Sequence, residues 1–277
     1  MKRSKYRYLY IVGVILLALT ILFFVFSIDR HSYFEALDTQ STDVIWLMDQ
    51  PIAHRGYYDN ITRPENSIEA FMAAISKGYA IELDVRLTKD EHIVVVHDEN
   101  LLRLTGADVN VSDLTLAEIK DLYLLNTGSQ IPTLEETFSY VNGKVPILIE
   151  IKTSGLPRKL EQLTLELIEV YTGEVAVQSF DALSVKWFAK NASSVTRGLL
   201  LTGGSSSELL NHLKDNIYSM VCDPNFISYK YENLLRSDFK LQRTAGLIVL
   251  GWTVDENLLI TREFTDYCDN IILEAGR

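Results

Sequence analysis

Apolar and polar positions alternate in two different ways from residue 51 onward. Short runs of β-branched and aliphatic residues predict buried strands, and longer segments with helical apolar spacing predict amphipathic helices. The predicted strands are residues 51–54, 80–85, 93–97, 145–151, 174–178, 196–201, 218–222, 247–253 and 270–273. The predicted helices are residues 67–77, 115–122, 133–141, 156–171, 181–190, 205–215, 230–245 and 256–266. This alternation indicates an α/β protein with a parallel sheet covered by helices.

Capping signals mark two of the helix starts. Asn66 is followed three residues later by Glu69, and Thr115 is followed at the same spacing by Glu118. In this pattern a short polar side chain accepts a hydrogen bond from the first turn, and the acid bonds back to the cap. We therefore expect Asn66 and Thr115 to cap the helices that follow them.

The number of strands selects a barrel with one insertion. Residues 87–91 link the second and third predicted strands, and so short a link cannot form a parallel crossover. Residues 93–97 are therefore predicted to return antiparallel, as a hairpin on the second strand. The other strands give a (β/α)₈ TIM-type barrel, with no helix after the last strand. A doubly wound open sheet is the alternative, but the Gly-rich phosphate loop of that fold is not found.

An apolar segment precedes the barrel. Residues 9–28 contain no charge, and a helix of that length spans about 30 Å, the thickness of a bilayer's hydrocarbon core. The basic tail, residues 1–8, precedes it, which predicts a cytoplasmic N-terminus and an extracellular catalytic domain on a single-pass anchor in the cell membrane. A cleaved signal peptide is the alternative, but the run is long and lacks a small-residue cleavage site. Residues 29–50 form a juxtamembrane connector, and residues 51–277 form the barrel.

The charge of the chain limits its partners. The formal net charge is −11, and the first 30 residues hold five basic residues but only one acid, so the rest is still more acidic. Such a body repels polyphosphate, which argues against nucleic acid as a partner. Cys222 and Cys268 are too few for a disulfide scaffold. They either pair with each other or serve as two buried small residues, and the sequence leaves both readings open.

Carboxylates and imidazoles cluster at the predicted ends of the first three barrel strands, where such a barrel carries its active site. Glu82 and Asp84 stand two residues apart in a strand and therefore share a face. Glu150 interrupts an apolar strand, which indicates either a bound cation or an ion pair with Lys152. Oxygen ligands without a nearby cysteine favour Ca²⁺ or Mg²⁺. His54 and His97 bracket the first two acids; they suit proton transfer, and ligation of zinc is the alternative.

Motifs from about residue 51 to the end resemble those of the glycerophosphodiester phosphodiesterase family. The matching segments are His54-Arg-Gly, Pro64-Glu-Asn-Ser, Glu82-Leu-Asp-Val-x-x-Thr-Lys-Asp, His97-Asp-x-x-Leu-x-Arg, Ile131-Pro-Thr-Leu-Glu-Glu136, Glu150-Ile-Lys152, Gln178-Ser-Phe180 and Trp252-Thr-Val254. One such motif alone is weak evidence for the family, whereas all of them in the same order are a specific match. The family's fold is a (β/α)₈ barrel, in agreement with the strand pattern.

The resemblance implies a role for each matched residue. His54 and His97 match the general acid and base, Glu82, Asp84 and Glu150 match ligands of a divalent cation, and Arg55 and Lys152 match residues that contact phosphate. Gln178, Phe180 and Trp252 are further candidates for the pocket lining, although both aromatic residues also suit ordinary core packing. Glu65 either supports the residues of the site or is a first-turn acid favoured by the helix dipole, and the second reading is preferred.

The implied reaction is hydrolysis of a glycerophosphodiester to glycerol 3-phosphate and an alcohol. In the family scheme a glycerol hydroxyl attacks phosphorus, and water then opens the cyclic intermediate. The expected substrates are glycerophosphodiesters, lysolipids or glycerol-phosphate polymers. A lysophospholipase D is the alternative enzyme, and a barrel kept only as a binding module is a third reading, which would be favoured by loss of a histidine or an acid.

Two positions depart from the family pattern. The family usually ends on a strand reading Ile-Ile-Thr-Asp-x-Pro, whereas residues 271–276 read Ile-Ile-Leu-Glu-Ala-Gly. Glu274 is the candidate replacement for the aspartate. Glu91 stands where a turn glycine is usual, and we expect it to alter the hairpin only slightly.

Overall fold

The aliphatic runs of the sequence form a closed barrel in a computed structural model, which describes position 13 and residues 44–153, 158–203, 221–234, 247–261 and 263–275. Its strands are β1 (Ile52–Ala53), β2 (Ala80–Leu87), β3 (Ile93–Val95), β4 (Ile147–Ile151), β5 (Val175–Ser179), β6 (Thr196–Leu201), β7 (Phe226–Lys230), β8 (Ile248–Val254) and β9 (Asn270–Leu273). The α-helices that the structure describes are Trp46–Asp49, Ile68–Lys77, Leu102–Thr105, Leu116–Lys120, Leu134–Val141, Lys159–Val170, Ala182–Asn191, Tyr231–Leu234 and Glu256–Thr261.

Eight parallel strands close on themselves. The sheet order is β1-β9-β8-β7-β6-β5-β4-β2-β3, and a further pairing between β1 and β2 completes the ring. β3 is the exception, because it runs antiparallel to β2 with Val85 opposite Val95. β1 pairs with the first half of β2 and β3 with the second half. The predicted TIM-type barrel and its hairpin insertion are both confirmed.

The seventh barrel strand lies later in the chain than the sequence pattern predicted. The predicted strand at residues 218–222 is wrong at Val221 and Cys222, which are helical, and β7 begins only at Phe226. Residues 218–220 lie outside the described residues. Both faces of a barrel strand are buried, so the strand should read as continuously apolar. β7 contains Ser228, which points inward, and ends on the charged Lys230, whereas residues 218–222 contain one serine and no charge. The run that ends at Cys222 therefore looked more strand-like than the true strand.

Several predicted segments lie outside the described residues. They are the helix at 205–215, the helix at 230–245 beyond Leu234, and the apolar segment at 9–28 apart from position 13. In the part of the chain that the structure describes, no helix has the length and apolar character needed to cross a membrane. The end of the connector is described and packs on the barrel, with Trp46 and Leu47 buried against its interior.

Of the two predicted helix caps, one is confirmed. Thr115 and Glu118 form the expected capping box. The helix Ile68–Lys77 is instead capped by Ser67, whose side chain accepts from the Ala70 amide. Asn66 is therefore not the cap. It adopts a left-handed backbone conformation and turns its side chain toward Asp84.

The barrel interior is divided into two layers. The lower layer is an apolar cluster to which all but one of the parallel strands contribute: Ile52, Ala80, Leu148, Ala176, Phe226, Leu250 and Ile272. Side chains two residues apart in a strand point the same way. The positions two residues further on are His54, Glu82, Glu150, Gln178, Ser228, Trp252 and Glu274. The same alternation that builds the core thus builds a polar layer directly above it.

Gly198 is the position at which β6 makes room for this core. It lies opposite Phe226 in the register of β6 and β7, and a Cβ on Gly198 would overlap the Phe226 ring. The Phe226 ring therefore fills the space that the side chain of any other residue at position 198 would occupy.

We expect Gly198→Ala to lower the free energy of unfolding by about 1–3 kcal/mol, because overpacking forces side chains from their preferred rotamers. Urea unfolding of the variant measures the change. Gly128→Ala is the matched control, since no atom lies within 4 Å of its added Cβ. Equal stability of the two variants would contradict this account of the core.

Candidate active site

Three carboxylates form the floor of the polar layer. Glu82 and Asp84 project from β2 and Glu150 from the neighbouring β4, with Asp84 opposite Glu150 in the register. One oxygen of each lies within 4.8 Å of the others. All three are buried, at 1%, 0% and 5% exposure. The predicted convergence of these acids is therefore observed.

Two cations compensate part of this negative charge. Lys152 Nζ lies 2.5 Å from Glu150 Oε1 and 3.1 Å from Asp84 Oδ1, and Arg55 Nε lies 3.4 Å from Asp84 Oδ2. Burial would raise the pKa of Asp84, but Lys152 and Arg55 outweigh it and hold this pKa below its usual range. The predicted Glu150–Lys152 ion pair is present, and Lys152 contacts Asp84 as well.

The pKa values of the two glutamates shift in the opposite direction, above their usual range. Burial, followed by repulsion from Asp84, raises the pKa of Glu150 to about 7. Burial and the charges of Asp84 and Glu150 likewise raise the pKa of Glu82 well above its usual value. Lys152 and Arg55 therefore do not neutralise the whole cluster. A further positive charge between the acids would stabilise their ionised forms.

The donor set fits a hard divalent cation. In the described residues, the potential ligand atoms that converge this closely are carboxylate oxygens only, and such a set suits a hard divalent cation. Asp84 Oδ1 is buried and accepts no hydrogen bond, although Lys152 lies nearby. Glu82, Asp84 and Glu150 could therefore each supply an oxygen to one cation.

The loop after β1 places His54 and Arg55 beside the acids. Arg55 and Gly56 both have positive φ, at 54° and 78°, and the turn points the Arg55 amide at Glu82 Oε2, at 3.0 Å. A Cβ on Gly56 would lie 2.9 Å from Ala70. Glycine is therefore required at this position both for its backbone conformation and for the close contact.

His97 arrives from the opposite side, on the hairpin. Its Nδ1 lies 2.8 Å from Asp98 Oδ1, and its carbonyl oxygen accepts a hydrogen bond of 2.8 Å from Arg86 Nε. Burial lowers the pKa of His97, although the nearby Asp84 opposes this effect. The ring is therefore held through Nδ1, which leaves Nε2 for a substrate.

A chain of ion pairs joins the two histidine-bearing segments. Glu65 Oε1 lies 2.7 Å from Arg55 Nη1, and both Glu65 oxygens lie 2.7 Å from the Arg103 guanidinium. Arg103 Nε in turn donates to Asp98 Oδ2 at 2.6 Å. Glu65 is only 2% exposed and precedes the helix. The expectation of a simple first-turn acid is therefore wrong, because this carboxylate fixes two arginines.

These residues surround a cavity of about 390 Å³ at the carboxyl ends of the strands. Its wall includes nine of the ten predicted site residues: His54, Arg55, Glu82, His97, Glu150, Lys152, Gln178, Phe180 and Trp252. Asp84, the tenth, is fully buried and belongs to the carboxylate floor. The structure thus brings all of them together.

The far wall combines an oriented amide with an aromatic pair. Ser228 Oγ donates to Gln178 Oε1 at 2.7 Å, which turns the amide nitrogen toward Glu82 Oε1, 3.5 Å away. Phe180 and Trp252 meet edge to face at 5.6 Å between ring centroids. Phe180 is 46% exposed, so it forms the rim of the cavity and is not a core residue.

Sequence reasoning did not assign the contacts of four residues that hold this site together, although Glu65, Arg103 and Glu274 lie in or beside the matched motifs. Glu274 and Ser228 each stand two residues after an apolar interior position, and this period-two signal could have identified them once β7 was placed correctly. Glu65 and Arg103 carry no such signal. They are 38 positions apart in the chain, and only the fold shows that they pair.

Comparisons with known proteins agree with this geometry. A model of the glycerophosphoryl diester phosphodiesterase family matches residues 54–273. A glycerophosphodiester phosphodiesterase from Caldanaerobacter subterraneus subsp. tengcongensis is 34% identical over 234 residues, which cover 80% of this chain and 93% of that protein. A lysophospholipase D from Rattus norvegicus is 37% identical over 260 residues, covering 79% of this chain and 81% of that protein. The crystal structure of a glycerophosphodiester phosphodiesterase from Thermotoga maritima superposes with a TM-score of 0.63 at 30% identity, covering 80% of this chain and 92% of that one.

Glu65→Gln tests the ion-pair chain. We expect it to lower the free energy of unfolding by about 1–3 kcal/mol, because two arginines lose charge-assisted hydrogen bonds. Denaturant unfolding measures the loss. Glu169→Gln is the control, since Glu169 is exposed on its helix and should change stability by less than about 0.5 kcal/mol. A similar small change for Glu65→Gln would show that the chain of pairs is not stabilising.

Proposed function

This chain is a phosphodiesterase of the glycerophosphoryl diester phosphodiesterase family. We propose how its residues carry out the reaction. The proposed reaction hydrolyses a glycerophosphodiester to glycerol 3-phosphate and an alcohol. The observation that supports this assignment most strongly is the cavity wall, where two histidines flank an oxygen-only cluster of acids. No matched histidine or acid is lost, which disfavours a binding module without activity.

The substrate phosphate is held by the chain's own cations. Arg55 and Lys152 line the cavity, and each contacts an acid of the floor while leaving further N–H groups for phosphoryl oxygens. Gln178 adds an amide donor, since Ser228 occupies its carbonyl oxygen. We propose that Glu82, Asp84 and Glu150 hold a divalent cation, which would supply further positive charge beside the phosphate.

His54 and His97 exchange the protons in this proposal. One imidazole accepts the proton of the attacking glycerol hydroxyl as the new P–O bond forms. The other gives its proton to the alcohol oxygen as the old P–O bond breaks. Water then opens the cyclic phosphate with the two roles reversed, so both rings return to their starting protonation states. Each ring has Nδ1 beside a carboxylate, Glu274 for His54 and Asp98 for His97, so Nε2 is the exchanging nitrogen.

A lysophospholipase D is the second candidate. The half-exposed Phe180 stands beside Trp252 at the rim, and Leu200 and Ile272 also line the cavity. Such an apolar side of the cavity can receive an acyl chain next to the phosphate subsite. A similar protein from rat bears this name. The substrate panel described below discriminates between the two candidates.

We also propose that residues 9–28 anchor the chain in the cell membrane, with the barrel outside. The support is sequence-based: an uncharged apolar run preceded by Lys2, Arg3, Lys5 and Arg7. Protease added to intact cells should digest the barrel, and full protection would contradict the orientation. The acidic body argues against nucleic acid as a partner.

We expect His54→Asn and His97→Asn each to reduce kcat by about 100- to 10,000-fold, because each removes a proton carrier. Product analysis on a glycerophosphodiester, a lysolipid and a glycerol-phosphate polymer measures the loss of kcat and identifies the substrate class. His92→Asn is the control, since His92 is exposed on the hairpin. Turnover like that of the wild type in either variant would refute the assigned proton transfers.

We expect a chelator to abolish activity and Ca²⁺ or Mg²⁺ to restore it. The restoring ion should also raise the Tm by roughly 5 °C at 100 times its Kd. Glu150→Gln should remove this shift, because it deletes a charged oxygen ligand. Asp121→Asn, at an exposed helix end, should keep it. Restoration by Zn²⁺ alone would place histidines in the ligand set.

A further inference from the structure

Closure of the barrel brings His54 against Glu274. Ile52 pairs with Ile272 and Ala53 with Leu273, so the next positions of the two strands face each other. His54 Nδ1 lies 3.1 Å from Glu274 Oε2, and both side chains are largely buried, at 14% and 12% exposure. The two residues are 220 positions apart in the chain, which is why no local motif indicated the pair.

Glu274 is itself held in a fixed position. The Tyr58 hydroxyl donates to Glu274 Oε1, and Thr253 contributes a further side-chain hydrogen bond. Although burial alone would raise the pKa of Glu274, the hydrogen bond and charge of His54 lower it to about 2, with help from Tyr58. The group is therefore a carboxylate throughout the neutral range, and a carboxylate only accepts hydrogen bonds.

An acceptor at Nδ1 determines which tautomer of His54 is stable. A neutral imidazole carries one hydrogen, and the ring nitrogen that faces a carboxylate must be the one that carries it. Nε2 is then the unprotonated nitrogen. Since His54 lines the cavity, that lone pair is available to a reacting hydroxyl.

The two histidines are held in related but distinct ways. His97 uses the adjacent Asp98, whose other oxygen is paired with the Arg103 cation. Glu274 instead has the neutral hydroxyl of Tyr58 on its second oxygen.

We propose that Glu274 is the positioning residue for His54: it holds the imidazole as the Nδ1–H tautomer, with Nε2 directed to the substrate. The inference rests on the proposed proton transfer by His54, and it adds a residue that the motif comparison left uncertain. In subtilisin- and trypsin-like enzymes a carboxylate has this orienting role toward a catalytic histidine. Here the carboxylate is supplied by the last strand of the barrel.

The direct test is the tautomer of His54 in the full chain, read from imidazole nitrogen chemical shifts after ¹⁵N-histidine labelling. The spectrum is recorded at about pH 8.5, where a free imidazole is neutral, and the signal is assigned by its absence in His54→Asn. We expect Nδ1–H in the wild type. In Glu274→Gln the amide can donate to Nδ1, so we expect the Nε2–H tautomer to be populated.

Kinetics provide the second readout. We expect Glu274→Gln to lower kcat at least about 100-fold, because the wrong tautomer cannot accept the proton, while KM changes less than about threefold. Glu274→Asp keeps the acceptor, so it should retain the Nδ1–H tautomer and more activity than Glu274→Gln. Glu166→Gln, exposed on the helix Lys159–Val170, is the control and should match the wild type.

An Nε2–H tautomer in the wild type would overturn the proposal, and this measurement does not require any Glu274 variant to fold. An unchanged tautomer or an unchanged kcat in folded Glu274→Gln would also overturn it. If the wild type shows the Nδ1–H tautomer but hydrolyses no phosphodiester, the positioning contact holds and the proposed function fails. The two failures are therefore distinguishable.

Discussion

The repulsion among three buried carboxylates is the constraint on which the site depends. Two unit charges no more than 4.8 Å apart repel by at least about 3 kcal/mol at the effective dielectric of a protein interior. Lys152 and Arg55 offset part of this repulsion, but they bring two positive charges to three acids. Burial, and then the neighbouring acids, raise the pKa of Glu150 and of Glu82. The unbalanced charge makes the cluster a poor structural element and a good cation site. Stability must therefore come from elsewhere in the barrel.

Side chains alternate along the barrel strands, and this alternation separates the charged site from the apolar residues that stabilise the fold. Apolar residues such as Leu148, Ala176 and Phe226 fill the lower layer, and the polar residues stand two positions further along the same strands. The rigid core below fixes the backbone from which Glu150, Gln178 and Ser228 project. Each site residue is held in place by the core residue two positions before it. The polar layer can therefore carry uncompensated charge while the apolar layer stabilises the barrel.

This regularity also explains what the sequence could and could not predict. Strands, helices and the hairpin follow from local periodicity, and the acids follow from their spacing within strands. Other candidates, such as Arg55 and Gln178, came from the resemblance of their motifs to the family. β7 was misplaced because Ser228 and Lys230 make it less apolar than the run before it. Asn66 was misread as a cap because its true partner, Asp84, lies on β2. The roles of Glu65 and Glu274 depend on partners far away in sequence. Such contacts leave no local pattern.

The two histidines illustrate how the site depends on closure of the barrel. His97 finds Asp98 as its neighbour in sequence, so its orientation follows from the hairpin. His54 meets Glu274 only when β1 pairs with β9, the contact that completes one side of the ring. One ring is therefore set by local structure and the other by a contact between residues 220 positions apart in the chain. Since proton transfer needs both rings in place, the chemistry that we propose requires the closed barrel and not merely its individual strands.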